Sequence, residues 1–202
     1  MDIYYLHRDY NGMALEEPLR AIEALLRDGK IRYWGVSNFR GWRIGEMVHM
    51  ARQFNMPGPV VCQPYYNLLN RLPESEILEA CGHHGLGVVP YSPIARGVLT
   101  GKYAPGQTPQ AGSRAFRADK RMMETEFRQE SLAHFATAWV LANPHISSVI
   151  AGPRTLAQWQ DYFGAIEVQI TAEDEALVNS LVSPGHSSTP GYNDPAYPLA
   201  GR

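Results

Sequence analysis

His7 is the residue in this 202-residue chain whose type and place best suit acid–base chemistry. It follows the apolar run Ile3-Tyr4-Tyr5-Leu6. There a histidine can exchange a proton near neutral pH or donate a hydrogen bond to a developing oxyanion. The spacing alone equally allows a histidine that caps a loop. Four further apolar runs also end in polar or glycine-rich signatures. Tyr33-Trp34-Gly35-Val36 ends in Ser37-Asn38, and Val60-Val61-Cys62 ends in Gln63 and leads to Tyr66-Asn67. Val88-Val89-Pro90-Tyr91 runs into Ser92-Pro93, and Ser148-Val149-Ile150-Ala151 into Gly152-Pro153-Arg154. In a parallel α/β protein the carboxyl ends of all strands lie on one face, where ligands bind. Five polar ends therefore converge on one mouth.

Lys102, Arg114 and Arg154 are candidates for holding an anionic group, although any one taken alone reads first as solvated surface charge, the usual fate of such residues. Gly152-Pro153-Arg154-Thr155 is the strongest of these positions, because a strand-to-helix junction presents free amide N–H groups to an anion. Metal chemistry is not expected. His83 and His84 are adjacent, so on a helix they point about 100° apart. His49, His134, His145 and His186 are scattered. The chain has no Gly-x-Ser-x-Gly elbow and no catalytic cysteine signature. Cys62 lies in an apolar run and reads as core packing.

The elements that position these residues follow from periodicity. The five runs are continuous rather than alternating, which predicts strands buried on both faces. Between the first two, Leu15, Leu19, Ile22, Leu25 and Leu26 line one face of a helix over about 17–28. Pro18 suits its first position and Gly29 its left-handed stop. Ile44, Met47, Val48, Ala51 and Phe54 mark a second helix. Ile77, Leu78 and Cys81 mark a third, opened by Pro73 and Glu74. A fourth is expected over Phe135–Leu141, a fifth from near Thr155, and a sixth over Ala172–Leu181 with Thr171 as N-cap and Asp174 at N3. The first four strands recur about every 30 residues between helices, which predicts βα units on a parallel sheet. Both a doubly wound sheet and a TIM barrel satisfy that pattern. The absent Gly-x-Gly-x-x-Gly fingerprint weakens the first, and the chain is short for the second. The long stretch 92–129 is rich in glycine and proline, as functional loops are.

Composition bounds the rest. Apolar residues make up 45% and charged residues 19%, which describes a globular chain with a real core. The net charge of −2 lacks the basic excess of a nucleic-acid binder. Two cysteines suit a reducing compartment. No apolar run is long enough for a membrane helix, and Met1-Asp2 does not open a signal peptide. A cytoplasmic protein is expected.

In combination the motifs resemble the aldo-keto reductase family. They are Tyr4-Tyr5-Leu6-His7, the segment Gly29 to Phe39, Gln63-Pro64-Tyr65-Tyr66-Asn67, Tyr91-Ser92-Pro93 with Gly97 to Tyr103, Ala138 to Leu141, and Ile150 to Thr155. They occur in the family's order and are most similar to the branch that includes potassium-channel β subunits. The resemblance implies a TIM (β/α)8 barrel that binds NADPH across the strand carboxyl ends and reduces an aldehyde or ketone. Of the family's catalytic Asp, Tyr, Lys and His, only the histidine maps, as His7. Ser37, Asn38 and Gln63 would hold the nicotinamide amide, with Tyr91 stacked on the ring. Ser92, Pro93, Ile94, Ala95, Gly97 and Lys102 would line the pyrophosphate, with Arg114 nearby. Gly152, Arg154, Gln158 and Asp161 would meet the adenosine 2′-phosphate end, where Tyr162 replaces the family's usual asparagine.

The same resemblance implies an incomplete barrel. Residues 1–182 would form strands 4 to 8, lacking the first three βα units, and 183–202 a C-terminal tail. The stretch near Glu130 to Phe135 is shorter than the family's by about one helix. Such an arc has exposed sheet edges that invite self-association or a partner chain. The function expected is therefore NADPH-dependent carbonyl reduction, impaired in this chain. The alternatives are a non-catalytic NADPH-binding regulatory or interaction module and an inactive remnant.

Overall fold

A computed structural model describes residues 1–10, 13–100 and 133–188. Its sheet holds four parallel strands: β1 (Ile3–Leu6), β2 (Tyr33–Ser37), β3 (Val61–Gln63) and β4 (Gly87–Val88), paired in sequence order. Helix α1 (Glu16–Arg27) joins β1 to β2, α2 (Gly41–Gln53) joins β2 to β3, and α3 (Ile77–His84) joins β3 to β4. A doubly wound sheet reverses its strand order at a switch point. This one does not, and α1, α2 and α3 pack against one another in succession. The described strands form an open parallel sheet wound in sequence order.

The register assigns each side chain to a face. Leu6, Val36, Cys62 and Val88 fall in one row across the sheet, with Trp34 two residues before Val36. Trp34, Val36, Cys62 and Val88 are buried against Leu19, Ile22, Ile44, Met47, Leu78 and Cys81 from the three helices. Tyr5, Gly35 and Val61 fall in the adjacent row, and Ser37 pairs with Gln63 one step further on. These residues point to the face away from the helices.

Burial of β1 on both faces is not observed. Ile3 and Tyr4 are each 40% exposed, because β1 is the edge of the described sheet. The fifth strand also differs from expectation. Parallel bridges Val88↔Ile146 and Tyr91↔Ile150 continue the sheet, but no ladder forms. Of the donors β4 would supply on that side, Val88 N–H goes to the Ser147 hydroxyl at 3.2 Å, and Pro90 has none.

The helices match their signals with two adjustments. α1 begins at Glu16, so Pro18 is its third residue, still within the turn whose N–H groups lack helical partners. Gly29 follows at φ +67°, the left-handed stop expected. Pro73 and Glu74 do not open α3. They form a separate 3₁₀ turn, Leu72–Ser75, broken from α3 at Glu76 (φ −155°, ψ −35°). The chain then supplies α4 (Ala133–Ala142), α5 (Leu156–Tyr162) and α6 (Ala172–Leu181). Thr155 caps α5, and Thr171 with Asp174 forms a reciprocal capping box on α6. The Cys62 and Cys81 thiols meet across β3 and α3, at 1% and 0% exposure. The hydrogen bond they share, and then burial, push the Cys62 thiol up.

Candidate functional site

Four strand ends are tied together by one hydrogen-bond chain. The Tyr91 hydroxyl donates to Asn38 Oδ1 at 2.9 Å. Asn38 Nδ2 donates to the His7 carbonyl at 2.9 Å and to Ser37 Oγ at 2.8 Å. Ser37 Oγ donates to the Gln63 carbonyl at 2.8 Å. Side chains thus tie the ends of β1, β2 and β3 and the segment after β4 together, beside the backbone pairing of Ser37 with Gln63 and the bond from Tyr91 N–H to the Pro64 carbonyl.

Each predicted member has a definite place. His7 is exposed at the mouth. Ser37 is buried, and its hydroxyl both accepts and donates within the chain of bonds. Asn38 uses both amide hydrogens on the protein, which leaves one lone pair on Oδ1 for a ligand. Gln63 is half-buried at the end of β3. Tyr91 is half-buried, its ring 5.4 Å from that of Tyr65 and tilted by 31°.

The segment after β4 carries unusual backbone. Ser92 (φ 59°), Ala95 (φ 45°) and Arg96 (φ 52°) take left-handed conformations, as does Asn38 (φ 59°). Side chains rarely adopt these, and they collect at functional sites. Ala95 N–H bonds to the Ser92 carbonyl and Gly97 N–H to that of Ile94. Among the residues expected to line a pyrophosphate, Ser92 and Ile94 are partly exposed, whereas Pro93, Ala95 and Gly97 are buried. Ala95 packs on Ala136 of α4. Lys102 and Arg114 lie outside the described residues.

A second group gathers at the start of α5. Gly152, Arg154, Gln158 and Asp161 are all exposed. Gln158 Oε1 accepts from Arg154 N–H at 2.8 Å, and Gln158 N–H donates to Thr155 Oγ1 at 3.2 Å, so Gln158 braces the turn. The Arg154 guanidinium is solvated. Asp161 lies 3.1 Å from His134 Nε2. Burial, and then the Asp161 charge, raise the Tyr162 hydroxyl.

One feature was not singled out from sequence, a buried polar cluster behind the mouth. Arg71 donates to Glu74 Oε1 at 2.8 Å, to Asn179 Oδ1 at 2.7 Å and to the Val182 carbonyl at 2.9 Å. Its guanidinium lies 5.1 Å from the Trp139 ring centre. The Tyr66 hydroxyl donates to Glu74 Oε1 at 2.8 Å and accepts from Asn143 Nδ2 at 3.3 Å. Burial, and then its bond to Glu74, push the Tyr66 hydroxyl far above its ordinary range. Asn67, fully buried, donates to the Ser92 carbonyl at 3.1 Å and so fastens this layer to the mouth. Among the described residues no cluster of His, Cys, Asp and Glu could hold a metal ion, and no helix is long and apolar enough to cross a membrane.

Residues 1–183 match the family model described as the aldo/keto reductase family. The chain is 35% identical over 204 residues to an uncharacterized oxidoreductase, YrpG, of Bacillus subtilis (strain 168), covering 95% of this chain and 62% of that protein. It is 33% identical over 204 residues to a probable voltage-gated potassium channel subunit beta of Oryza sativa subsp. japonica, covering 89% and 62%. It is 27% identical over 205 residues to L-glyceraldehyde 3-phosphate reductase of Escherichia coli (strain K12), covering 92% and 59%. The chain thus spans less than two thirds of the length of these relatives. The match along 1–183, on a parallel sheet wound in sequence order, settles its kinship: the chain belongs to the aldo/keto reductase family.

Proposed function

We propose that this chain builds the cofactor half of a carbonyl reductase site and binds NADPH across the strand carboxyl ends. The observation that carries the reading is the bond chain from Tyr91 through Asn38 and Ser37 to Gln63. It leaves at one mouth an amide, a single carbonyl lone pair and the half-buried ring of Tyr91. A nicotinamide carboxamide needs that set: an acceptor and a donor for its two ends, and a flat aromatic for its ring. Arg154, solvated at the start of α5, suits the 2′-phosphate. Ser92 and Ile94, with Lys102 and Arg114, are the proposed pyrophosphate contacts.

When bound, NADPH supplies a hydride to a carbonyl carbon. The residues do the positioning. Gln63 and the Asn38 carbonyl orient the carboxamide, and Tyr91, pinned through its hydroxyl, sets the plane of the ring. His7, whose carbonyl Asn38 holds, stands at the mouth to donate a hydrogen bond to the oxygen that gains charge. The carbonyl substrate is a small aldehyde or ketone.

The arc belongs to a (β/α)8 barrel. Its free β1 edge, with Ile3 and Tyr4 exposed, and the 54% exposure of Tyr33 on the face away from the helices support association there. Two relatives named as probable potassium-channel β subunits favour a second reading, an NADPH-binding interaction module without turnover.

A fluorescence titration of NADPH into the 202-residue chain tests the reading. Saturable micromolar binding is the expected result, and no saturation overturns it. Consumption of NADPH across a panel of aldehydes then separates the reductase from the interaction module.

A further inference from the structure

Helix α5 runs directly into a 3₁₀ turn, Phe163–Glu167, so the chain is helical over 156–167. α5 buries none of its residues. Leu156, Trp159, Phe163 and Ile166 recur at helical spacing on one side, each between 49% and 71% exposed. The opposite side carries small residues. Ala165 is buried there, and a Cβ on Gly164 would lie 2.6 Å from the His134 ring of α4. The segment is thus held to the molecule by its small residues and turns its large apolar ones outward. The Trp159 and Phe163 rings meet edge to face, 5.6 Å apart, which orders them without covering them. A contiguous apolar patch of this kind on a globular surface marks an interaction site.

Spacing and charge point to what covers it. The intervals along the stripe are three, four and three residues, so it reads the same in both directions. Two copies laid antiparallel about a two-fold axis at its centre set Leu156 against Ile166 of the second copy, and Trp159 against its Phe163. The same axis brings Arg154, just before the stripe, to Glu167 of the second copy, just after it. Both are exposed, and neither has an ion pair among the described residues. A parallel pairing would instead oppose Arg154 to Arg154 and Glu167 to Glu167, and like charges so placed repel. From this we infer that the outward face of 156–167 is the interface of a two-fold dimer of this chain, centred on Trp159 and Phe163. A two-fold contact needs one patch that complements itself, and this stripe does, with a charge pair at either end. Four apolar residues from each copy make a small interface, which sets the Kd on the order of micromolar. Arg154 is also the cation assigned above to a 2′-phosphate, so the dimer is a property of the ligand-free chain.

The test is sedimentation velocity on the full 202-residue chain, without ligand, over a concentration series. Trp159→Glu is expected to raise the dimer Kd by more than about tenfold. Its circular dichroism should match wild type, because the residue is exposed and the segment is held by its other side. Arg154→Glu and Glu167→Arg, each alone, oppose like charges at both ends and should weaken the dimer about tenfold. Mixed together, the two variants pair with opposite charges at both ends, and affinity near that of wild type should return. Association through the β1 edge predicts no such recovery, since neither variant touches that edge. Association that Trp159→Glu leaves unchanged, charge variants that associate as wild type does, or no recovery on mixing overturns the inference. A wild-type chain that stays monomeric overturns it too, and leaves the stripe to a different partner.

Discussion

At φ 59° Asn38 holds a conformation that only glycine adopts freely, and its amide bonds to His7, Ser37 and Tyr91. Asparagine tolerates the left-handed region better than most residues, because its short polar side chain can bond locally. Asn38→Ala should lower stability by about 2–3 kcal/mol, through lost bonds and backbone strain together. Asn38→Gly relieves the strain, so its loss should be smaller by roughly 1 kcal/mol. Urea denaturation of the two variants measures the difference. Behind the mouth, Tyr66 makes stability sensitive to alkali. Its hydroxyl is raised by burial, so the neutral form is the one folding favours. That contribution is intact below the unfolded value, near pH 10, and is lost as pH rises above it. Melting temperature should fall above about pH 10, and Tyr66→Phe should flatten that alkaline decline, being less stable at neutral pH where Glu74 and Asn143 lose their partner. The residues at the strand ends were legible in sequence because a parallel sheet must bring those ends together. Ala95 and Arg96 gave no sign of their left-handed backbone, since both residue types ordinarily favour right-handed helix. Tyr5 could not be placed over Gly35 without the register, because the two lie on different strands.

Helices were more legible than strands. Each helix shows its apolar face within a dozen residues, and the reciprocal bonds of Thr171 and Asp174 follow from their spacing. Strand partners come from distant sequence, so the bridges at Ile146 and Ile150 depend on Pro90 and on a hydroxyl at Ser147 that periodicity does not report. The break at Glu76 was equally hidden, because Glu74 is drawn from a helical start by Arg71 and Tyr66. Within β2, Gly35 is the position least able to change. A Cβ there meets the Val61 carbonyl at 2.7 Å, which is backbone and cannot step aside. Gly35→Ala should cost about 1–3 kcal/mol by denaturant midpoint, whereas Gly58→Ala, with nothing within 4 Å of the new atom, should be near neutral.

On the scale of the whole molecule, the described sheet is open and the relatives are longer. Among the described strands β1 pairs with β2 alone, beside exposed Ile3 and Tyr4, with neither lysine nor proline within the strand to blunt that edge. Sedimentation velocity should show association that grows with protein concentration. Tyr4→Lys should shift the population towards monomer while leaving NADPH binding intact, since Tyr4 lies on the edge strand outside the proposed ligand contacts. A single sharp species at all concentrations would argue against association through this edge.

The thiols of Cys62 and Cys81 sit where the middle of the sheet meets α3, with almost no surface of their own. They are the chain's only two cysteines. A neutral alkylating reagent can therefore reach sulfur only when β3 and α3 part, and its rate of incorporation counts those openings. That gives the molecule an internal clock, readable as mass gained by the protein: a ligand that clamps the strand ends should slow it, and one bound elsewhere should leave it running.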